Sequence, residues 1–304
     1  MDPGMWDWKS DPEAPLWVKL RRARIHINEV HQLVRALDAS MPWSVEKEPA
    51  EHPDSWAFRF RIQCPIPADL RAAAADAIAN MRSALDYAAY ELAVRRTGIR
   101  TPHQERATAF PICKGKETFD RFFAEGRWGP VRAEIYGETE RLALQCVQPF
   151  AIGEEARSLG VEWSTPADQE LQTDGAWALN TVWNIDKHRR LPELAWSRDE
   201  LFYWQGADQP SVAKGRVLVP PGSSLQDDQL ILELCGIQGN GRPDIKLTQE
   251  INLLLEDDPS PYKQALDDRL EQLHQSLSGW VLPRIFATAD GNTPPILISF
   301  RPPE

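Results

Sequence analysis

Apolar residues recur every three or four positions along several stretches of the chain, which is the spacing of one face of an α-helix. In residues 69–96, for example, Ile78, Met81 and Leu85 belong to such a stripe, and Asp69 is the predicted N-cap. The stretches that this spacing predicts to be helical are residues 16–38, 69–96, 118–123, 131–146, 174–191 and 261–282.

A two-residue alternation of apolar and other positions replaces the helical spacing in two parts of the chain, and it predicts β-strands. Trp56, Phe58 and Phe60 follow this alternation, and residues 43–45 are the predicted partner strand of a hairpin. After Pro192, short apolar runs separated by Pro, Gly and Asp are typical of an antiparallel meander. These runs are residues 201–204, 217–220, 230–234 and 245–248, and residues 295–300 are predicted to form an edge strand.

These elements predict an α+β fold, with a helical bundle and a small antiparallel sheet packed beside it. Residues 1–14 are rich in Asp, Pro and Gly and are predicted to form a flexible arm. Residues 15–200 are predicted to form a helical core domain with a β-hairpin inserted at about residues 42–64. Residues 201–304 add the meander and a closing helix, and we expect both to pack on the core as one unit.

Composition restricts the classes of partner. The net charge of −11 disfavours non-specific binding of polyanions, so RNA would need a local basic site. No apolar run is long enough to span a bilayer, and no membrane partner is predicted. Four cysteines without paired spacing predict free thiols in the cytoplasm and no structural metal. Trp6, Trp8 and Trp17 are candidates for a Trp-rich face that binds a protein partner, although packing in the core is commoner.

Polar and charged residues are concentrated at the end of the helix predicted over residues 174–191. The run Asn184-Ile-Asp-Lys-His-Arg-Arg190 places an amide, a carboxylate, an imidazole and three cations in seven residues. We expect its partner to be the helix over residues 69–96, which carries Asn80, Arg82 and Asp86. The two segments would then form one composite site.

One interpretation of this site is metal-independent cleavage of a phosphodiester, without any cofactor. An imidazole transfers protons near neutral pH, and guanidinium groups bind phosphate and stabilise developing charge. The predicted catalytic residues are His188, Arg82, Asp86, Asp186 and Arg189. The predicted substrate-binding residues are Asn80, Tyr87, Asn180, Asn184 and Lys187.

A structural interpretation is at least as well supported by the residues. Two helices that meet at polar ends commonly satisfy each other through Arg–Asp pairs and side-chain bonds to backbone. Cations near a helix C-terminus are also favoured by the helix dipole. A metal site formed by Asp86, Asp186 and His188 is a third alternative, which the neighbouring arginines disfavour because they would repel a cation.

Four motifs occur in a fixed order along most of the chain. They are Asn80-Met-Arg82-Ser-Ala-Leu85-Asp86-Tyr87-Ala-Ala89, Phe110-Pro-Ile112, Leu144-Gln-Cys-Val-Gln148-Pro149-Phe150 and Asn184-Ile-Asp186-Lys-His188-Arg189. Together they resemble a widespread family of uncharacterised bacterial proteins that is common in actinobacteria. The relatives have Arg-Ser-Ala-Leu-Asp-His at the first motif, which is similar to the Arg-x-x-x-x-His pattern of HEPN ribonucleases.

This resemblance implies a HEPN-like helical bundle that forms a homodimer and cleaves RNA without metal, as a toxin or defence effector. The chain departs from the pattern because Tyr87 stands where the relatives have histidine. A phenol is a poor base at neutral pH, since its unperturbed pKa is about 10. The resemblance therefore implies either that His188 has taken the role of the base or that this chain is inactive.

Two functions remain open at this point. The first is a HEPN-like ribonuclease, in which Arg82 and His188 face an open cleft. The second is a non-catalytic interaction protein, in which the same cluster locks two helices together and another surface binds a protein or small ligand. The two differ in whether the cluster is accessible or is buried and paired with carboxylates.

Overall fold

The fold is α+β, as predicted. The computed structural model describes residues 11–51, 55–99, 101–158, 176–184, 191–205, 214–220, 223–235, 245–256, 258 and 264–292. In this part of the chain, every helix is too short or too polar to cross a lipid bilayer.

Two long helices form the centre of the helical layer. They are α1 (Pro15–Ala39) and α2 (Ala68–Thr97), and they pack along each other. The facing surface of α2 is rich in alanine, and Ala74, Ala77 and Ala88 are fully buried, so the two backbones approach closely. The prediction of Asp69 as the N-cap was wrong, because Pro67 holds that position. Asp69 lies in the first turn instead, where the helix dipole stabilises its negative charge.

Shorter helices follow α2 along the chain. They are α3 (Pro102–Ala107), α4 (Lys116–Ala124), α5 (Gly129–Ile135), α6 (Glu138–Gln145), α7 (Pro149–Ser158) and α8 (residues 176–184). The single helix predicted over residues 131–146 is divided into α5 and α6. Gly137 is the N-cap of α6, where its N–H is held by the Glu140 carboxylate, and a Cβ there would collide with the Arg96 side chain.

The last helical segment continues past its predicted end at Leu282. It consists of α9 (Leu266–Ser276), a π-helical turn (Leu277–Val281) and α10 (Leu282–Ala289). The residue after the predicted end is Pro283, and a proline within a helix lacks an N–H and crowds the carbonyl one turn earlier. The wider π turn lies directly before this proline and gives its ring room, so the helical path is maintained.

The strands form two antiparallel sheets. Their bounds are β1 (Trp43–Pro49), β2 (Trp56–Ile62), β3 (Leu194–Gln205), β4 (Lys214–Val217), β5 (Ser224–Leu225), β6 (Gln229–Cys235) and β7 (Ile245–Leu255). The strand orders are β1-β2-β6-β4 and β5-β3-β7. The predicted hairpin is confirmed as β1 and β2, with Val45 opposite Phe60. The later strands do not form one meander, because β6 pairs with β2 while β3 pairs with β7.

One hydrophobic core connects the sheets with the helices. Phe58 and Phe60 of β2 and Leu232 of β6 belong to the same buried cluster as Ile27 of α1 and Ile78 of α2. Trp17 also packs on this core, with its ring edge-to-face with Phe286, whereas Trp6 and Trp8 lie outside the described residues. The boundary predicted between residues 200 and 201 falls within β3, and the edge strand predicted at residues 295–300 lies outside the described part of the chain. The core fixes α2 firmly, and α2 carries the first predicted motif.

Candidate functional site

Arg82 and Asp86 of α2 hold the backbone of Phe110. Nη2 of Arg82 donates to the carbonyl of Phe110 at 2.8 Å, and Oδ1 of Asp86 accepts the N–H of the same residue at 2.9 Å. The two side chains are one helical turn apart and also pair with each other, with Nη2 3.1 Å from Oδ1. The pair therefore satisfies both backbone polar groups of one residue in the segment that follows α3.

Gln148 holds the other end of the same segment. Its side chain is buried, its Oε1 accepts the N–H of Cys113 at 2.8 Å, and its Nε2 donates to the carbonyls of Pro111 at 2.9 Å and Leu144 at 2.8 Å. The segment Phe110–Cys113 is thus fixed at both ends by side chains from two helical regions. This segment and these side chains come from three of the four sequence motifs.

Among the described residues, hydrogen bonds and the ion pair with Asp86 compensate the burial of Arg82 only in part. The residue is 6% exposed, and burial lowers the pKa of its guanidinium while the charge of Asp86 opposes that shift. Nε and Nη1 have no hydrogen-bond partner among the described residues. The guanidinium carbon lies 5.2 Å from the centre of the Trp183 ring, a distance at which a cation is attracted to the ring face.

Trp183 belongs to α8, the helix that leads to the motif beginning at Asn184. Its contact with Arg82 therefore brings α8 against α2. A second contact of the same kind lies nearby, with Nζ of Lys114 4.3 Å from the centre of the Trp177 ring. Asn180 and Asn184 are half-buried on α8. Asp186, Lys187, His188 and Arg189 lie outside the described residues, so their catalytic and substrate-binding roles stay predictions.

Asn80 and Tyr87, both predicted to bind substrate, have different surroundings. Nδ2 of Asn80 donates to the carbonyl of Asp76 one turn earlier at 2.8 Å, so this contact is made within α2. Tyr87 is 37% exposed, which is unusual for a large ring on a helix whose other face is fully buried. Tyr87 can contact a ligand from solution without any rearrangement of the core.

An open depression of about 230 Å³ lies beside the exposed side of the Arg82–Asp86 pair. Its described lining consists of Ser83, Asp86, Tyr87, Tyr90 and Thr108. Burial and the carboxylates of Glu105 and Glu91 raise the pKa of Tyr90, so its phenol is protonated at neutral pH. Burial also raises the pKa of Glu91 itself, against the opposing charge of Arg95.

Gln148, Tyr90 and the backbone of Phe110 were missed as members of this site. Phe110 and Gln148 stood in motifs that carried the family resemblance, but no contact was assigned to them. A peptide group that accepts and donates hydrogen bonds has no signature in the sequence, because every residue except proline carries one. The spacing of Ser83, Tyr87 and Tyr90 on the face of Asp86 was the available signal for the depression.

A metal site was one alternative that the sequence left open. Within the described ranges, no group of three or more His, Cys, Asp or Glu side chains converges as metal ligands would. The proposed ligands Asp186 and His188 lie outside those ranges.

The chain matches no protein-family model, no curated protein and no solved structure. The resemblance to the bacterial family and to HEPN ribonucleases therefore stays a prediction.

Proposed function

We propose that this protein is a non-catalytic binding protein in which the Arg82–Asp86 pair is part of the architecture. The observation that carries the proposal is the position of Arg82. Its side chain is 7% exposed, and its Nη2 is engaged by the carbonyl of Phe110 and by the carboxylate of Asp86. A phosphate could approach this nitrogen only if Phe110 or Asp86 moved away.

The electrostatics of the accessible surface support the same proposal. Asp86 is the more exposed member of the pair, and Glu105 lies close enough to Tyr90 to influence the pKa of its phenol. A phosphodiester entering the depression would face these carboxylates, and the net charge of −11 adds a long-range repulsion. The five described lining residues provide hydroxyl groups, phenol rings and a carboxylate, which can fix the orientation of a ligand through hydrogen bonds and ring contacts.

A ribonuclease assay tests the proposal. The full chain is incubated with total RNA in EDTA, beside the variants His188→Ala and His103→Ala. His103 is exposed on α3, with its ring centre 4.8 Å from that of Trp128, so His103→Ala is a control for loss of an unrelated imidazole. We expect none of the three proteins to cleave RNA beyond the buffer blank. Cleavage by the wild-type protein and by His103→Ala, but not by His188→Ala, would contradict the proposal.

A HEPN-like, metal-independent ribonuclease is the second candidate function. Nε and Nη1 of Arg82 lack hydrogen-bond partners among the described residues, and such spare donors are suited to an anion. The contact of Arg82 with Trp183 also brings the first motif to the helix that precedes residues 185–190. In this candidate Arg82 and Arg189 hold phosphate, His188 transfers protons, and Asp86 and Asp186 orient them. The substrate is bound by Asn80, Tyr87, Asn180, Asn184 and Lys187.

A ribonuclease of this type is also expected to form a homodimer with one RNA site at the interface. Light scattering of the full chain gives an independent measurement, because an active dimer and an inactive monomer differ in mass by a factor of two. We expect a monomer that does not cleave RNA. A stable dimer with His188-dependent cleavage would favour the second candidate on both counts.

A further inference from the structure

The depression beside the Arg82–Asp86 pair combines aromatic rings with a carboxylate on one helical face. Ser83, Asp86, Tyr87 and Tyr90 are three, four and seven residues apart on α2, so their side chains point to the same side. Thr108, which follows α3, forms the opposite wall. Since Phe110 is bonded to Asp86 and Arg82, the wall that carries Thr108 is held at a fixed distance from the helix.

We infer that this depression binds the head group of an organic cation, an alkylammonium or a guanidinium. Phenol rings attract such cations to their faces, and a carboxylate adds charge pairing. The inference rests on the proposed binding function, and it specifies the class of ligand at that site.

The arrangement of charges around the depression favours a cation. Asp86 is 35% exposed while Arg82 is 7% exposed, so the carboxylate and not the guanidinium reaches the accessible surface. Glu105 lies near Tyr90 and adds negative potential. Arg132 is a cation bonded next to Thr108, since its Nε donates to the carbonyl of Ala107 at 3.1 Å and its Nη1 donates to the carbonyl of Phe122 at 3.1 Å. These bonds direct its charge to the backbone.

The size of the depression limits the ligand. A volume of about 230 Å³ is below the range of roughly 300–1,000 Å³ that is usual for drug-sized ligands and cofactors. One head group fits, and the open mouth allows the rest of a longer molecule to extend into solvent. The cation can come from two sources, a lysine or arginine side chain of a protein or a free small amine, and both share this chemistry.

Tyrosine-selective NMR offers a direct test. The chain has five tyrosines, so protein labelled with ¹³C in its tyrosine rings gives few signals, which Tyr→Phe variants assign. The full chain is titrated with n-butylammonium and with methylguanidinium, with n-butanol and inorganic phosphate as neutral and anionic controls. We expect both cations to shift the ring signals of Tyr87 and Tyr90 and to leave that of the fully buried Tyr136 unchanged.

Matched variants distinguish binding in the depression from binding elsewhere on the protein surface. Tyr90→Leu removes the ring, and we expect it to weaken binding about three-fold to ten-fold, whereas Tyr90→Phe keeps the ring and changes affinity less than about two-fold. Asp86→Asn keeps the shape and the bond to Phe110 but removes the charge, so we expect it to weaken binding as well. Far-UV circular dichroism and thermal melting confirm that each variant is folded.

Three results would overturn the inference. These are an absence of cation-dependent shifts at Tyr87 and Tyr90, equal shifts with n-butanol, or an affinity that Tyr90→Leu leaves unchanged. A comparison of n-butylammonium with the peptide Gly-Lys-Gly identifies the source, because tighter binding of the peptide indicates a protein partner. The ribonuclease assay is independent of this titration. If no cation binds and no RNA is cleaved, only this inference is removed. If RNA is cleaved and the cleavage depends on His188, the proposed function is removed.

Discussion

Two arginines of this fold are buried to a similar degree but are held in different ways. On Arg269 of α9 all three guanidinium nitrogens have partners. Nε and Nη2 donate to Asp258 at 2.6 and 3.1 Å, and Nη1 donates to Gln272 at 2.7 Å. On Arg82 only Nη2 has a hydrogen-bond partner among the described residues. The carboxylates differ as well, because Asp258 is as deeply buried as its arginine and Asp86 is partly exposed.

This difference indicates distinct roles for the two pairs. A buried cation is tolerated when a carboxylate and further hydrogen bonds compensate its lost hydration, and Arg269 meets that condition. Within the described part of the chain Arg82 meets that condition only in part, because two of its nitrogens have no hydrogen-bond partner there, and such a burial carries an energetic cost. Costs of this kind are concentrated at sites that bind or react, and the depression beside Asp86 is the adjacent accessible surface.

The largest effect is expected when the complete pair is broken. Asp258→Ala leaves Arg269 buried without its carboxylate, and we expect the free energy of unfolding to fall by about 3–5 kcal/mol. Urea denaturation followed by circular dichroism measures the change. The control is Asp120→Ala, which removes the exposed partner of Lys116 on α4 and should cost less than about 1 kcal/mol. Equal losses from both variants would contradict the structural role of the Asp258–Arg269 pair.

Removing each arginine compares the pairs directly. Arg269→Met eliminates three hydrogen bonds and leaves Asp258 buried without its cation, so we expect a loss of about 3 kcal/mol or more. Arg82→Met eliminates the bond to Phe110 and the ion pair with Asp86, together with two buried donors that have no partner among the described residues, and partly exposed Asp86 can be hydrated. We therefore expect Arg82→Met to cost about 1–2 kcal/mol by the same denaturation measurement. A loss from Arg82→Met that matches or exceeds that from Arg269→Met would show that the compensation of Arg82 is better than the described contacts indicate.

Two substitutions at Asp86 divide its contribution into charge and hydrogen bonding. Asp86→Asn keeps an oxygen for the N–H of Phe110 and should cost about 1 kcal/mol, whereas Asp86→Ala removes both contacts and should cost about 2 kcal/mol. Amide hydrogen exchange at Phe110 gives a local measurement. We expect faster exchange in Asp86→Ala and little change in Asp86→Asn. Equal exchange rates in the two variants would mean that Asp86 does not hold the N–H of Phe110.

The smallest effect concerns pH and His274, which connects α9 to α1. Nε2 of its ring lies 3.2 Å from the carbonyl of Leu20, and Nδ1 lies 2.9 Å from Nη2 of Arg24, so a neutral ring fits both neighbours. Burial, and then the charge of Arg24, lower the pKa of His274, while the Leu20 carbonyl and Glu271 oppose this shift. Because the unfolded state then takes up the proton first, the stability that His274 contributes should fall as the pH drops through about 6.5.

The comparison of wild type with His274→Gln isolates this contribution from the carboxylates, whose pKa values also differ between folded and unfolded states. We expect the difference in the free energy of unfolding between the two proteins to shrink between pH 7.5 and pH 5.5. A difference that stays constant or grows as the pH falls would mean that protonation of His274 does not weaken the contact between α1 and α9.

The helical stripes and the hairpin were readable from the sequence because they depend on local spacing. Ile78, Met81 and Leu85 are fully buried on α2, and Phe58 and Phe60 face the core from β2, as the spacing predicted. The interruption at Gly137 was missed because the apolar spacing does not mark it, since Ile135 and Leu142 keep the helical period on either side. The continuation of the last helix past Pro283 was missed because a single wide turn changes the consequence of a proline.

The candidate site was predictable to a smaller extent. The pairing of Arg82 with Asp86 follows from their four-residue spacing on a helix, and the sequence indicated it. Their attachment to Phe110 was not predictable, because the partner is a peptide group and not a side chain. The approach of Trp183 to Arg82 agrees with the expected meeting of the two motif-bearing helices, while the arrangement of residues 185–190 stays a prediction.

The pairing of β2 with β6 has a consequence for how the molecule is made. Phe58 lies opposite Leu232, so two strands from distant parts of the chain are neighbours in one sheet. During synthesis β2 leaves the ribosome long before β6, and until then one of its hydrogen-bonding edges has only solvent or another nascent chain as a partner. Long-range pairings of this kind slow folding, so the emerging hairpin is the stage at which chaperones would protect this protein from aggregation.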